Sequence, residues 1–318
     1  MTLKETVLSA NRAVGGRPGG IGPGISDLPG SAFGGGIYVQ SSALTLTNGM
    51  VVANLAAGGD IMGVFPGGIA CNADGGALFI TNATVDCRNA RFLTNTALGG
   101  LQQVRGYGGQ THGGAIFNQG MLDVVACTFF GNRAVGQEGT ITGGSEPEGL
   151  AQGGAIYTAG SLKLRESTLS GNFAQGSAGG SHGSEGFPGA RGVGGGIWNS
   201  GDAAITNSTL SQNVARGGNG RLNSTGPGGP GIGGGLSNEG GTLTLVHCTL
   251  SENEAVGGIG NTIGSAFGGA IYTTNGAVTV NNSIVANSRS SSNCFGSVVD
   301  GGTISVRMQA ATSPLRAV

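Results

Sequence analysis

One short motif returns along the chain at nearly constant distance, and it restricts the fold more than any other feature. It reads Gly34-Gly35-Gly36-Ile37-Tyr38, Gly75-Gly76-Ala77-Leu78-Phe79, Gly113-Gly114-Ala115-Ile116-Phe117 and Gly153-Gly154-Ala155-Ile156-Tyr157. It recurs as Gly194-Gly195-Gly196-Ile197-Trp198, Gly233-Gly234-Gly235-Leu236-Ser237 and Gly268-Gly269-Ala270-Ile271-Tyr272. The steps between the aliphatic residues are 41, 38, 40, 41, 39 and 35. Each copy is followed after 16 or 17 residues by an asparagine: Asn54, Asn95, Asn132, Asn172, Asn213 and Asn253. Asn11 is an extra one at the start, and in the last copy Ser288 takes the place, with Asn287 one residue early.

Counting back from the asparagine gives fixed residue classes. Ten and eight before it stand pairs such as Leu122 and Val124, or Leu162 and Leu164. Five before it the residue is small (Gly49, Ala90, Cys127, Ser167), and three before it is apolar (Val51, Phe92, Phe129, Leu169). Two after it comes alanine (Ala56, Ala97, Ala134, Ala174). A spacing of two is an extended strand with one face inward. A step of three breaks that parity, so the chain must bend there. Strand, bend, strand, bend, strand is one coil of a solenoid, and identical offsets in every copy let equivalent residues stack. The pattern predicts an all-β, right-handed parallel β-helix of about eight coils over residues 1–296, with an irregular tail over 297–318. The asparagines should form a side-chain amide ladder. A variant with two coils per repeat stays open at this point.

Between the conserved alanine and the next Gly-Gly lie 12 to 20 residues of variable, glycine-rich sequence. Such segments, Gly179 to Gly194 and Gly217 to Gly235 among them, read as flexible surface loops. They and the motif hold most of the 69 glycines in 318 residues. Collagen is excluded because glycine does not recur at every third position.

The net charge is −1, and no basic patch or polybasic run points to nucleic acid or a charged membrane. No apolar stretch approaches the ~20 residues of a spanning helix. Met1 to Val14 lacks the apolar core of a signal peptide. Met1 and Leu3 fall ten and eight before Asn11, so the first residues already lie inside a coil. The expectation is a fragment, or a sequence missing its start.

The pairing of Gly-Gly-Ala-Ile (113–116) with Phe129-Phe130-Gly131-Asn132 resembles the repeat of chlamydial polymorphic outer membrane proteins. Phe92-Leu93-Thr94-Asn95 matches its second half, and Leu169-Ser170-Gly171-Asn172 is the softer form found in bacterial secreted and surface β-helix proteins. Asn282-Ser283-Ile284-Val285-Ala286-Asn287 and Ser292-Asn293-Cys294-Phe295-Gly296 resemble terminal repeats of that class. The resemblance implies an extracellular or cell-surface passenger, adhesin-like, with glycans or surface proteins of a host or neighbour as partners.

Candidate chemistry is sparse, and no cofactor or metal is expected. Cys71, Cys87, Cys127, Cys248 and Cys294 form no C-x-x-C pair, and the last four fall mostly in small or apolar core columns. His112, His182 and His247 share no spacing. The outward column nine before the asparagine contains Asp86, Asp123 and Lys163. Neighbouring carboxylates there suit a glycoside hydrolase or a polysaccharide lyase; the competing reading is a solvated face with Asp123 balanced by Lys163. A second outward column holds Tyr38, Phe79, Phe117, Tyr157, Trp198 and Tyr272, a stripe that could stack on sugar rings or lie covered. The leading functional reading is a non-catalytic scaffold that presents loops. The carbohydrate-active enzyme and a spacer without ligand are its alternatives.

Overall fold

The computed structural model describes all residues except 17–28, 62–67, 70, 102–105, 139–148, 183–184, 222–224, 290, 303–304 and 307–318. It is a parallel β-solenoid, and each repeat makes one turn: Ile156 pairs with Ile197, Leu162 with Ala203, Leu169 with Leu210 and Ala174 with Ala215. That register settles the one-coil reading, since residues about forty apart in sequence lie side by side.

A turn has four faces. The first contains two short strands, such as Ile156–Thr158 and Ser161–Arg165, which fuse into one in Leu78–Arg88 and Ile116–Val125. The second and third are three-residue strands, here Thr168–Ser170 and Phe173–Gln175. The fourth is a two-residue strand just before Gly-Gly, here Ala151–Gln152. Stacked along the axis, these faces make sheets of fifteen, nine, seven and seven strands. Among the described residues, turns closed on all four faces are therefore fewer than the eight or so expected from the spacing. The shortfall has a local cause. Among the described residues from Ser288 to Asn293 the third face keeps a single bridge, Arg289 to Glu254, and no fourth-face strand; Cys294–Phe295 then pairs directly with Ile271 and Tyr272.

The bends sit where the parity breaks. Between faces one and two the hinge residue has positive φ, as at Asn89 (50°), Ala126 (53°) and Glu166 (53°). A second such residue precedes the ladder asparagine: Thr94 (50°), Gly131 (65°) and Gly171 (63°). Non-glycine residues there cost ~1–2 kcal/mol each. Backbone bonds to the next turn hold them, for example Ala126 N–H to Arg165 O at 3.1 Å.

Faces one and two enclose the large side chains. Leu46, Val85, Phe92, Leu122, Val124, Phe129, Leu164, Leu169, Ile197 and Ile205 form one continuous core. Phe92 and Phe129 stack with centroids 4.7 Å apart. Faces three and four close into a thin wing whose interior is alanine: Ala32, Ala56, Ala73 and Ala97, then Ala134, Ala151 and Ala174. Here the Gly-Gly motif finds its reason. Its first glycine turns the corner at φ +59° to +69°. Its second lies against the third-face backbone: a Cβ on Gly154 would stand 2.0 Å from Gly195 O and 2.6 Å from backbone atoms of Phe173. Only glycine permits that approach.

The asparagine ladder runs between these two compartments as expected. Asn95 donates from its backbone N–H (3.0 Å) and from Nδ2 (2.9 Å) to Asn132 Oδ1, while the second Nδ2 proton goes to Val51 O at 2.9 Å. Asn11, Asn54, Asn132, Asn172, Asn213 and Asn253 continue the same scheme. One expectation needs correcting. Ser288 does not extend the ladder, because its Oγ is buried without a partner. Asn293 does: its Oδ1 accepts from Ser288 N–H at 2.9 Å and its Nδ2 reaches Val285 O at 3.4 Å. A residue of the next turn, in register with Ala270 directly before the inward aliphatic, thus folds inward and ends the column.

The glycine-rich insertions are also corrected. They were expected to be flexible loops, yet the described stems are hydrogen-bonded and packed. Outgoing and returning legs of successive insertions alternate in one backbone ladder: Ala190 N–H to Ser177 O, Gly218 to Ala190, Gly229 to Gly218, Gly258 to Gly229 and Gly264 to Gly258, all at 2.8–2.9 Å. A Cβ on Gly218 or Gly258 would lie within 2 Å of a carbonyl oxygen. The glycines are there because two legs share the space of one.

Candidate functional site

The aromatic stripe is real and lies outside the core, because the neighbouring Ile and Leu point in. Its rings form a stack: Tyr38–Phe79 at 5.0 Å, Phe79–Phe117 at 4.7 Å, Phe117–Tyr157 at 4.8 Å and Tyr157–Trp198 at 4.4 Å, all within 11° of parallel. Ser237 interrupts it, and Tyr272 resumes it with Phe295 at 5.3 Å. Stacking turns the ring faces toward one another, so along the stack only edges can meet a ligand. Even those are largely covered: Phe79, Phe117 and Trp198 are 7, 5 and 8 % exposed, against 50 % for Tyr38.

Fourth-face side chains supply cover among the described residues. The outward side chain of that face is the residue directly before each Gly-Gly: Phe33, Asp74, His112, Gln152, Val193, Ile232 and Phe267. Val193 and Ile232 close over Trp198. In the middle of this wall Asp74 Oδ1 meets His112 Nδ1 at 2.6 Å, both side chains mostly buried, and the imidazole packs 4.9 Å from the Tyr157 ring. A carboxylate that orients an imidazole is the grouping of a general base. Among the described residues no hydroxyl or thiol bonds to that imidazole.

Burial pushes the Tyr157 phenol up to about 12, with the Asp74 and Glu239 carboxylates adding to the effect. The folded state therefore holds this proton more firmly than the unfolded chain. Its contribution to stability is complete below the ordinary phenol value of about 10 and is lost as pH rises through the folded value. Alkaline titration of tyrosinate absorbance is expected to show a late step from Tyr157. Tyr157→Phe should remove that late step and the matching alkaline loss of stability.

The charged column on the first face is placed as expected, with Asp86 beside Asp123 and Asp123 beside Lys163. Its pairing differs from the expected balance. Arg165 bridges both oxygens of Asp123 at 2.9 Å, and Arg88 binds Asp86 Oδ2 at 2.9 Å. Arg88 lies two residues along the same strand as Asp86, and Arg165 stands at that offset on the neighbouring strand, opposite Val125 and diagonal to Asp123; a planar guanidinium reaches the carboxylate from there better than the Lys163 ammonium. The other oxygen of Asp86 is buried with no partner.

No protein-family model, characterised protein or solved structure matches the chain. The likeness to the chlamydial repeats rests on its motifs; the structure carries the parallel solenoid they imply.

Sequence reasoning missed three sets of residues. Asp74 and His112 belong to two-residue strands preceded by insertions of unequal length, although their fixed place before Gly-Gly was a usable signal. A second buried polar column, Asn118, Thr158, Asn199 and Asn238, sits two residues after the inward aliphatic; Asn118 donates to Thr158 Oγ1 at 2.9 Å and Asn199 to Asn238 Oδ1 at 2.6 Å. Asn293 was the third. The thiols are buried in their columns at Cys87, Cys127 and Cys248 and half-buried at Cys71 and Cys294. Burial pushes Cys127 up to about 11, and its sulfur stands where Ser167 carries a hydroxyl, accepting from Ala90 N–H at 3.3 Å.

Proposed function

We propose that this chain is a non-catalytic display scaffold, of the secreted or cell-surface kind, that holds a row of glycine-rich loops for adhesion to glycans or surface proteins. The stem ladder carries this reading. A spacer needs no shared backbone ladder at the foot of its insertions, whereas a display surface needs its loops at fixed intervals. The shortest of these loops, 257–264, also presents Ile259 and Ile263 at 58 and 66 % exposure, uncharged apolar tips suited to contact. The covered aromatic stripe favours loops over rings as the contact surface.

The test is binding of the immobilised protein to arrays of glycans and surface proteins. A companion variant carries glycine-serine sequence of equal length in place of residues 180–187, 220–226 and 259–263. Binding that vanishes in the variant, with its β-sheet signal retained, supports the reading. Binding that survives there overturns loop presentation, and an absence of binding by the parent favours the spacer. Release of reducing ends from polysaccharide, lost on Asp86→Asn/Asp123→Asn, would instead establish the enzyme.

A further inference from the structure

The sequence contains three Asn-Gly dipeptides: Asn48-Gly49, Asn219-Gly220 and Asn275-Gly276. Such a step can modify itself. The glycine backbone nitrogen, once deprotonated, attacks the asparagine Cγ; a C–N bond forms, ammonia leaves, and a cyclic succinimide remains. Water then opens the ring to aspartate or isoaspartate. No oxidant or cofactor is needed. The reaction requires a glycine N–H free of hydrogen bonding and an asparagine amide free to approach it.

The three sites differ in just these respects. At Asn219 both partners are tied, since Gly220 N–H donates to Ile259 O at 2.8 Å and Asn219 Oδ1 accepts from Ile259 N–H at 2.9 Å. Gly49 lies five before the ladder asparagine. In that column the N–H of one turn donates to the side chain of the next: Cys127 to Ser167 Oγ at 3.0 Å, Ser167 to Ser208 Oγ at 3.1 Å, Cys248 to Ser283 Oγ at 2.9 Å. The residue that faces Gly49 is Ala90, which has no acceptor to offer, and no described residue accepts from Gly49 N–H. Gly276 has lost its acceptor differently. In two earlier turns the corresponding N–H bonds back to an asparagine, Gly120 to Asn118 Oδ1 at 3.0 Å and Gly201 to Asn199 Oδ1 at 3.2 Å. In this turn Thr273 stands at that place, with its Oγ1 buried and unpartnered. Asn48 and Asn275 are both exposed, at hinge positions with φ +54° and +53°.

We propose that Asn48 and Asn275 are self-modification sites that convert to aspartate and isoaspartate in the folded protein, while Asn219 is protected by its neighbouring turn. Conversion at Asn48 to isoaspartate places an extra backbone methylene and a negative charge at the bend between strands Ala43–Thr47 and Met50–Val52.

The experiment is peptide mapping by mass spectrometry of the whole chain after incubation in mildly alkaline buffer, folded and in urea. Asn48 and Asn275 are expected to convert in both states, and Asn219 only in urea. Ala90→Ser supplies the missing acceptor. It should slow conversion at Asn48 by roughly fivefold, the rate equivalent of one net hydrogen bond of about 1 kcal/mol, with Asn275 unchanged. The proposal is overturned if Asn219 keeps pace with Asn48 in the folded protein. It is equally overturned if Ala90→Ser leaves the Asn48 rate where it was, or if folding protects all three sites.

Discussion

Asn132→Ala is expected to destabilise the solenoid by about 3 kcal/mol or more, because it removes the partner of three buried groups at about 1–3 kcal/mol each. Asn95 loses the acceptor for both its backbone N–H and its Nδ2, and Phe92 O loses its donor. Low local polarity makes each loss expensive and couples it to neighbouring rungs. The measurement is denaturant unfolding beside Asn11→Ala, whose rung is exposed at the end of the ladder. That control should stay within about 1 kcal/mol of the parent, since water can replace what is lost. Nearly equal effects at the two positions would mean that the ladder reports the stacking without supporting it.

Gly154→Ala should be at least as damaging, by about 3 kcal/mol or more, although it adds a single methyl group. The new carbon would meet backbone on two sides, the carbonyl of Gly195 and the start of the third-face strand at Phe173, and neither can move without shifting a sheet. Gly171→Asn is the matched contrast. Its φ is +63°, which asparagine adopts readily, and the nearest atom to a new Cβ is on the Phe130 ring at 3.5 Å. It should change the unfolding midpoint little. A soluble, fully stable Gly154→Ala protein would show that faces three and four are not pressed together as described.

The core was legible in the sequence because a solenoid writes it repeatedly. Leu162, Leu164, Leu169, Asn172 and Ala174 have counterparts at the same offsets in every turn before the last, and parallel register carries those offsets straight into columns. Legibility ended where the offsets stopped being constant. The fourth face follows insertions of unequal length, so counting on from the asparagine does not reach the wall of Asp74, His112, Val193 and Ile232 over the aromatic stripe; its one constant offset is the place directly before Gly-Gly. The pairing of Asp123 with Arg165 instead of Lys163 depends on side-chain reach and planarity, which a list of column members does not encode. Asn293 lay hidden for a simpler reason. It occupies the place before the inward aliphatic by register and a ladder position by side chain, and only the shortened last turn brings the two together.

The interleaved stems divide each insertion into two zones with opposite tolerances. At the foot, where Ser177, Ala190, Gly218, Gly229, Gly258 and Gly264 alternate, a side chain added at any of the four glycines strikes a carbonyl of the adjacent turn. Beyond the foot, the legs already accommodate anything from the short 259–263 link to much longer excursions. Evolution can therefore lengthen, shorten or exchange a tip like a cassette in a socket, without renegotiating the solenoid beneath it. Neighbouring sockets share walls, so a family of such chains would diversify rung by rung in its outer sequence while every glycine at the base stayed fixed.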